Sequence, residues 1–163
     1  MITMSNFYYI TIATKPHQVL NNIIKKIQSN NEQIHVLGMQ ENRNIGWQAK
    51  GNFGVKLKEV YDFVFQSEIK NNDIILFTDA YDVFYADDLE TITERYLGFD
   101  CKVLFSAELY CWPDANIENQ FPESPTKYRF LNSGTFIGRV GELKRMLSTN
   151  WITNAADDQL YYQ

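Results

Sequence analysis

At 163 residues, 45% hydrophobic and 21% charged, the chain has the size and composition of one globular domain with a sizeable core. Its net charge of −5, with no run of Lys or Arg, excludes a nucleic-acid-binding stripe, and no stretch approaches the length of a membrane span. Cys101 and Cys111 stand in no C-x-x-C pair, which disfavours both a disulfide scaffold and a structural zinc site.

The amino terminus lacks a basic region followed by an apolar core, so the chain as written is expected to be cytoplasmic. Residues 7–14, β-branched and aromatic, predict a first strand. Lys15-Pro16 then opens a helix in which Val19, Leu20, Ile23, Ile24 and Ile27 recur at helical spacing, ending at Ser29-Asn-Asn31. Residues 34–39 predict a second strand. The polar stretch from Gln40 to Gly54, with Trp47, is longer than most connections in compact domains. Leu57, Val60, Tyr61, Val64 and Phe65 mark a second amphipathic helix.

Residues 74–77 form a continuous apolar run, the pattern of a strand covered on both faces. Its carboxyl end delivers Asp79 and Asp82, which a turn through Ala80-Tyr81 can bring to within about 7 Å between α-carbons. Two carboxylates there suit a hard divalent cation, which takes one or two protein carboxylates and fills its shell with water and phosphate oxygens. The plain alternative is a strand ending in a solvated polar turn.

Asp87-Asp-Leu-Glu90 has the spacing of a capping box for a helix to about Leu97, and residues 101–107 predict a further strand. Residues 108–129, with Trp112-Pro113, Pro122 and Pro125, predict a long structured loop. Residues 135–139 predict a short strand, and Leu143, Met146, Leu147 and Trp151 a helix; a last helix starts at Asp157. Strand and helix alternate throughout, the pattern of an α/β domain with a mostly parallel sheet.

Several stretches together resemble the glycosyltransferase domain of the procollagen-lysine hydroxylase/glycosyltransferases. These are Ile10-Thr-Ile-Ala-Thr-Lys15, Phe77-Thr-Asp-Ala-Tyr-Asp-Val83, Phe105-Ser-Ala-Glu108, Cys111-Trp-Pro113, Phe130-Leu-Asn-Ser-Gly134 with Phe136-Ile-Gly138, and Asp157-Asp-Gln-Leu160. The resemblance implies a GT-A fold over residues 1–163, with a Rossmann-like half binding a UDP-sugar (UDP-glucose or UDP-galactose) and Mn²⁺ held by Asp79 and Asp82. It implies that Thr14 contacts the uridine, Tyr81 stacks on the uracil, and Lys56 neutralises the diphosphate. Asn132 would join the donor side, Trp112 would border the sugar pocket, and Asp157 and Asp158 would face the donor sugar or the acceptor hydroxyl. The acceptor implied is hydroxylysine or galactosyl-hydroxylysine of a collagen-like polypeptide. The family's further metal-ligating histidine, in a His-Gly-Asn-Gly segment, is expected downstream of the last residue here.

Each residue also has a structural reading. Tyr81 would be a packed turn aromatic, Lys56 a solvated helix lysine, Trp112 a loop anchor, Asn132-Ser-Gly134 a turn, and Asp157-Asp158 a helix cap. At the level of function, the competing readings are an inactive remnant that keeps the fold and perhaps UDP-sugar binding, and an aspartate-nucleophile phosphatase. The phosphatase ranks last because its motif is D-x-D, whereas this chain has D-x-x-D.

Overall fold

The structure, a computed structural model, describes residues 5–40 and 51–163. Strands β1 (Phe7–Ile12), β2 (Ile34–Leu37), β3 (Ile74–Asp79), β4 (Val103–Glu108) and β5 (Phe130–Arg139) form one sheet in the order β2-β1-β3-β5-β4. β1 pairs parallel with β2 and with β3, while β5 runs antiparallel to both β3 and β4. The sheet is therefore mixed and mostly parallel, with β5 as the reversed strand.

Helices cover both faces. On one, α1 (Gln18–Ser29) and α3 (Leu89–Leu97) bring Ile23, Ile27 and Tyr96 against Tyr9, Ile74, Leu76 and Ile137. On the other, α2 (Gly54–Val64) and α4 (Val140–Leu147) pack Leu57, Val60, Phe63, Leu143 and Leu147 against Ile10, Ile75, Phe77 and Phe136. α5 (Asp158–Tyr162) lies on this second face through Tyr161 and Tyr162. The odd and even residues of β1 and β3 thus feed two cores, which is why the apolar run 74–77 is unbroken. Phe77 and Phe136 are fully buried and stacked, with ring centroids 4.8 Å apart.

The ends of the elements show where local chemistry decides. α1 starts after His17, whose Nδ1 accepts from the Val19 N–H, so Pro16 precedes the helix rather than sitting in its first turn. α3 is capped by Asp88, which accepts from Thr91 N–H; the expected box on Asp87 is therefore displaced by one residue. α4 ends at Leu147, short of Trp151, which is 90% exposed. The 108–129 stretch contains a 3-10 helix, Ala115–Gln120, and Arg129 fastens the end of the loop to carbonyls of Phe121 and Pro122.

β5 begins at Phe130, earlier than the expected Thr135, so Asn132-Ser-Gly134 lies inside a strand and not in a turn. Its pairing with β4 jumps from Phe105–Phe136 to Ser106–Asn132, and residues 133–135 form a bulge. Bulges re-aim side chains near sites, and this one turns Ser133 toward α5. Both cysteines are unpaired, and among the described residues no helix is long and apolar enough to cross a membrane. Of the stretch from Gln40 to Gly54, residues 41–50, with Trp47, lie outside the described residues.

Candidate functional site

From β1 the chain passes through α1 to β2 on one side, then through α2 to β3 on the other side of β1. The carboxyl ends of β1 and β3 therefore flank the point where the strand order reverses, the crevice in which open α/β sheets bind ligands. Ile12 is paired with Asp79, so the two strand ends are level. Thr14 follows β1 and is buried; Asp79 is the last residue of β3. Tyr81 spans the crevice: its hydroxyl accepts from Thr14 N–H at 3.0 Å and donates to the Lys15 carbonyl at 3.3 Å. Its ring lies 4.9 Å from that of His17.

Lys56 comes from the first turn of α2 and reaches into the sheet end. Its Nζ is 2.7 Å from Asp79 Oδ1 and 2.8 Å from Asp158 Oδ2, with the side chain only 13% exposed. It is not the solvated helix lysine of the structural reading. Burial alone would lower the pKa of this ammonium, but the Asp79 and Asp158 carboxylates outweigh it and hold the group above its ordinary value, so it is charged. The Asp79 carboxyl is pushed above the ordinary range, first by burial and further by Asp158 and Asp82, with Lys56 opposing.

α2 can approach this closely because its first residue has no side chain. A Cβ on Gly54 would lie 1.7 Å from the Thr153 carbonyl oxygen, and Gly54 N–H donates to the Asn154 carbonyl. The segment before α5 is thereby locked to the start of α2, which sets Asp158 opposite Lys56. Asp157 is the α5 N-cap, its Oδ1 accepting from Leu160 N–H at 2.9 Å.

Two residues that the sequence reading passed over complete the frame. Ser133, on the β5 bulge, donates its hydroxyl to Asp158 Oδ2 at 2.8 Å. Gln159, buried, accepts from Ser133 N–H and donates to the Trp112 carbonyl at 2.7 Å and to Glu108. Gln159 thus ties together β4, the Trp112 loop, β5 and α5. Its signal was present in the Asp-Asp-Gln run, as Ser133's was in Asn-Ser-Gly. Asn132 Oδ1 accepts from Gly134 N–H and Ser106 Oγ, so its amide is fixed within the bulge. Trp112 touches the site through its backbone, and its side chain is half exposed.

Asp79 keeps Oδ1 on Lys56 and turns Oδ2 toward Gly134, where an added Cβ would come within 3.0 Å of it. The missing side chain leaves that oxygen open. Asp82 is exposed and near enough to act on the Asp79 charge. Among the described residues no third His, Cys, Asp or Glu completes a metal-binding group. Asp79, through Oδ2, and Asp82 are the residues here that could hold a divalent cation, which takes one or two protein carboxylates and completes its shell from water and phosphate.

A family model described as PLOD GT domain matches residues 3–163. The chain belongs to that family. A Drosophila melanogaster procollagen-lysine,2-oxoglutarate 5-dioxygenase is 37% identical over 153 residues, covering 93% of this chain and 21% of its own. The multifunctional procollagen lysine hydroxylase and glycosyltransferase of Caenorhabditis elegans is 31% identical over 156 residues, 94% of this chain and 21% of its own. Procollagen-lysine,2-oxoglutarate 5-dioxygenase 1 of Mus musculus is 31% identical over 159 residues, 96% and 22% respectively. The chain spans about a fifth of the length of these relatives. In this PLOD GT domain the converging polar residues are Lys56, Asp79, Ser133, Asp158 and Gln159, with Thr14 and Tyr81 across the crevice.

Proposed function

We propose that this PLOD GT domain is a glycosyltransferase that moves glucose or galactose from a UDP-sugar to hydroxylysine or galactosyl-hydroxylysine of a collagen-like polypeptide. The observation that carries the reading is the position of Lys56 and Asp79, a buried cation and an acid with one open oxygen, at the crevice where the strand order reverses.

In this reading Asp79 and Asp82 would hold Mn²⁺, which when bound neutralises charge on the leaving diphosphate. Lys56 adds a second, protein-borne positive charge in a water-poor setting, where a fixed charge acts most strongly. The Asp158 carboxylate and the Ser133 hydroxyl behind it aim that ammonium. Thr14 would contact the uridine and the Tyr81 ring would stack on the uracil, with the Tyr81 hydroxyl held by Thr14 N–H and the Lys15 carbonyl. Asn132, fixed within the bulge, serves the donor side. In transfer, the acceptor hydroxyl oxygen bonds to the anomeric carbon as the bond to UDP breaks; in an inverting transfer the hydroxyl proton leaves to a carboxylate. Asp157 and Asp158 would face the donor sugar or the acceptor hydroxyl with the oxygens left by their bonds to Leu160 N–H and to Lys56 and Ser133, and Trp112 would border the sugar.

The reading is tested by measuring UDP released from UDP-glucose and from UDP-galactose, with Mn²⁺, in the presence and absence of a hydroxylysine peptide. Peptide-stimulated release that falls at least 100-fold in Asp79→Ala is expected. No release with either donor would favour the inactive-remnant reading.

A further inference from the structure

Tyr81 is held by one short connection, the turn from β1 to α1. Its hydroxyl accepts from Thr14 N–H at 3.0 Å and donates to the Lys15 carbonyl at 3.3 Å. Three residues along the same turn, His17 meets the Tyr81 ring with centroids 4.9 Å apart and planes at 57°. The ring also packs on the small cluster of Ala13, Leu20 and Ala80. Bonds to the hydroxyl fix the tip of a tyrosine but leave rotation about the ring axis soft, because that last torsion is broad. A second ring beside it sets that rotation, and rings at this separation and tilt attract.

His17 is itself fixed from two sides. Its Nδ1 accepts from Val19 N–H at 3.2 Å as the α1 N-cap, and its backbone carbonyl accepts from Asn21 N–H in the first turn. An accepting Nδ1 carries no proton, so the capping imidazole is the neutral form with its proton on Nε2. Capping alone does not call for histidine, since Ser, Thr, Asp and Asn make the favoured N-caps. What histidine adds at this position is a flat ring, and the ring lies against Tyr81.

We propose that His17 is a positioning residue for the nucleoside: it sets the tilt of the Tyr81 ring and, through it, the stacking surface offered to the base. The inference rests on the donor site of the proposed function. The test is calorimetric titration of UDP, with Mn²⁺, into the parent, His17→Asn, His17→Phe, Tyr81→Ala and the Tyr81→Ala, His17→Asn double variant, with the Tm of each preparation. Asn keeps the cap and removes the ring, whereas Phe keeps a ring and removes the cap. His17→Asn is expected to melt no lower than the parent and to bind UDP about three- to ten-fold more weakly. His17→Phe should melt about 2–4 °C lower and hold its UDP affinity to within about two-fold. On the Tyr81→Ala background, His17→Asn should change UDP affinity by less than about two-fold, because the residue through which it acts is gone. Parental UDP affinity in His17→Asn, equal losses in the Asn and Phe variants, or the full further loss on the Tyr81→Ala background would each overturn the role of His17 and leave the donor site standing. A parent chain that binds no UDP would overturn the donor site and the role of His17 with it.

Discussion

Replacing Lys56 by Met keeps the length of the side chain and removes the charge that joins Asp79 to Asp158. The lysine lies 2.7 and 2.8 Å from the two carboxylates, and the Asp158 side chain is only 8% exposed. Breaking a buried ion pair from one side costs about 3–5 kcal/mol, because the remaining charge loses its partner. Two features place this case at the low end: Asp158 keeps the Ser133 hydroxyl, and Asp79 is about one-third exposed. A loss of about 3 kcal/mol is expected, or a Tm lower by about 6–12 °C for a domain of this size. The sign of the pH dependence follows from Asp79. Its carboxyl is already raised by burial with Lys56 opposing, so removing Lys56 raises it further. An acid whose folded pKa lies above its unfolded value destabilises the fold above the folded pKa, and the penalty fades as pH falls below it. Urea denaturation should therefore show a larger gap between parent and variant at pH 7.5 than at pH 5. Adding Asp158→Asn should recover part of the loss at pH 7.5. A gap under about 1 kcal/mol at pH 7.5, or no recovery in the double variant, would refute the claim that Lys56 is the counter-ion of a buried acid pair.

Other substitutions probe the frame. Gly54→Ala would drive a methyl to 1.7 Å from the Thr153 carbonyl oxygen, which is backbone and cannot swing away; a loss of more than about 3 kcal/mol in urea denaturation is expected. Gly134→Ala meets only side-chain atoms of Asn132 and Asp79 at 3.0 Å. It should fold with near-parental Tm yet weaken Mn²⁺-dependent UDP binding at least about ten-fold, as measured by calorimetry. Asp88, the α3 cap, has its carboxyl held below the ordinary range by the Thr91 N–H. Its contribution is full above the unfolded carboxyl value of about 4 and disappears as pH falls through the depressed folded value. The Tm of Asp88→Ala should accordingly lie below the parent's at pH 7 and converge with it in strong acid.

β3 and its terminal acid were legible because a strand buried on both faces is written as an unbroken apolar run, and Asp79 is where that run stops. The reversal of β5 was not legible, since strand direction depends on how the 108–129 loop returns and not on the residues of the strand. The start of β5 was obscured for a related reason. Asn-Ser-Gly has turn chemistry, and here it is spent on a bulge within a strand. Helix ends slipped by a residue or more wherever two side chains could serve as the cap, as with Asp87 and Asp88.

At the site, residue types were readable and partnerships were not. Lys56 stands 23 positions before Asp79, and nothing local says that it meets two carboxylates. That meeting depends on Gly54 letting the 153–154 segment touch α2, a long-range contact with no periodic signature. Asp157 turned out to cap α5 through one oxygen, as its structural reading held. Ser133 and Gln159 lie inside runs that carry the family resemblance, but their work is done through bonds to other side chains and to backbone, which spacing alone does not show.

The central claim is that the β1–β3 crevice is a metal-assisted UDP site built on Asp79 and Asp82. Calorimetric titration of UDP into the parent chain, with and without Mn²⁺, beside the Asp79→Ala, Asp82→Ala double variant, tests it most directly. Binding is expected to require Mn²⁺ in the parent and to be lost in the variant. Metal-independent binding, or binding that survives the double substitution, would contradict it.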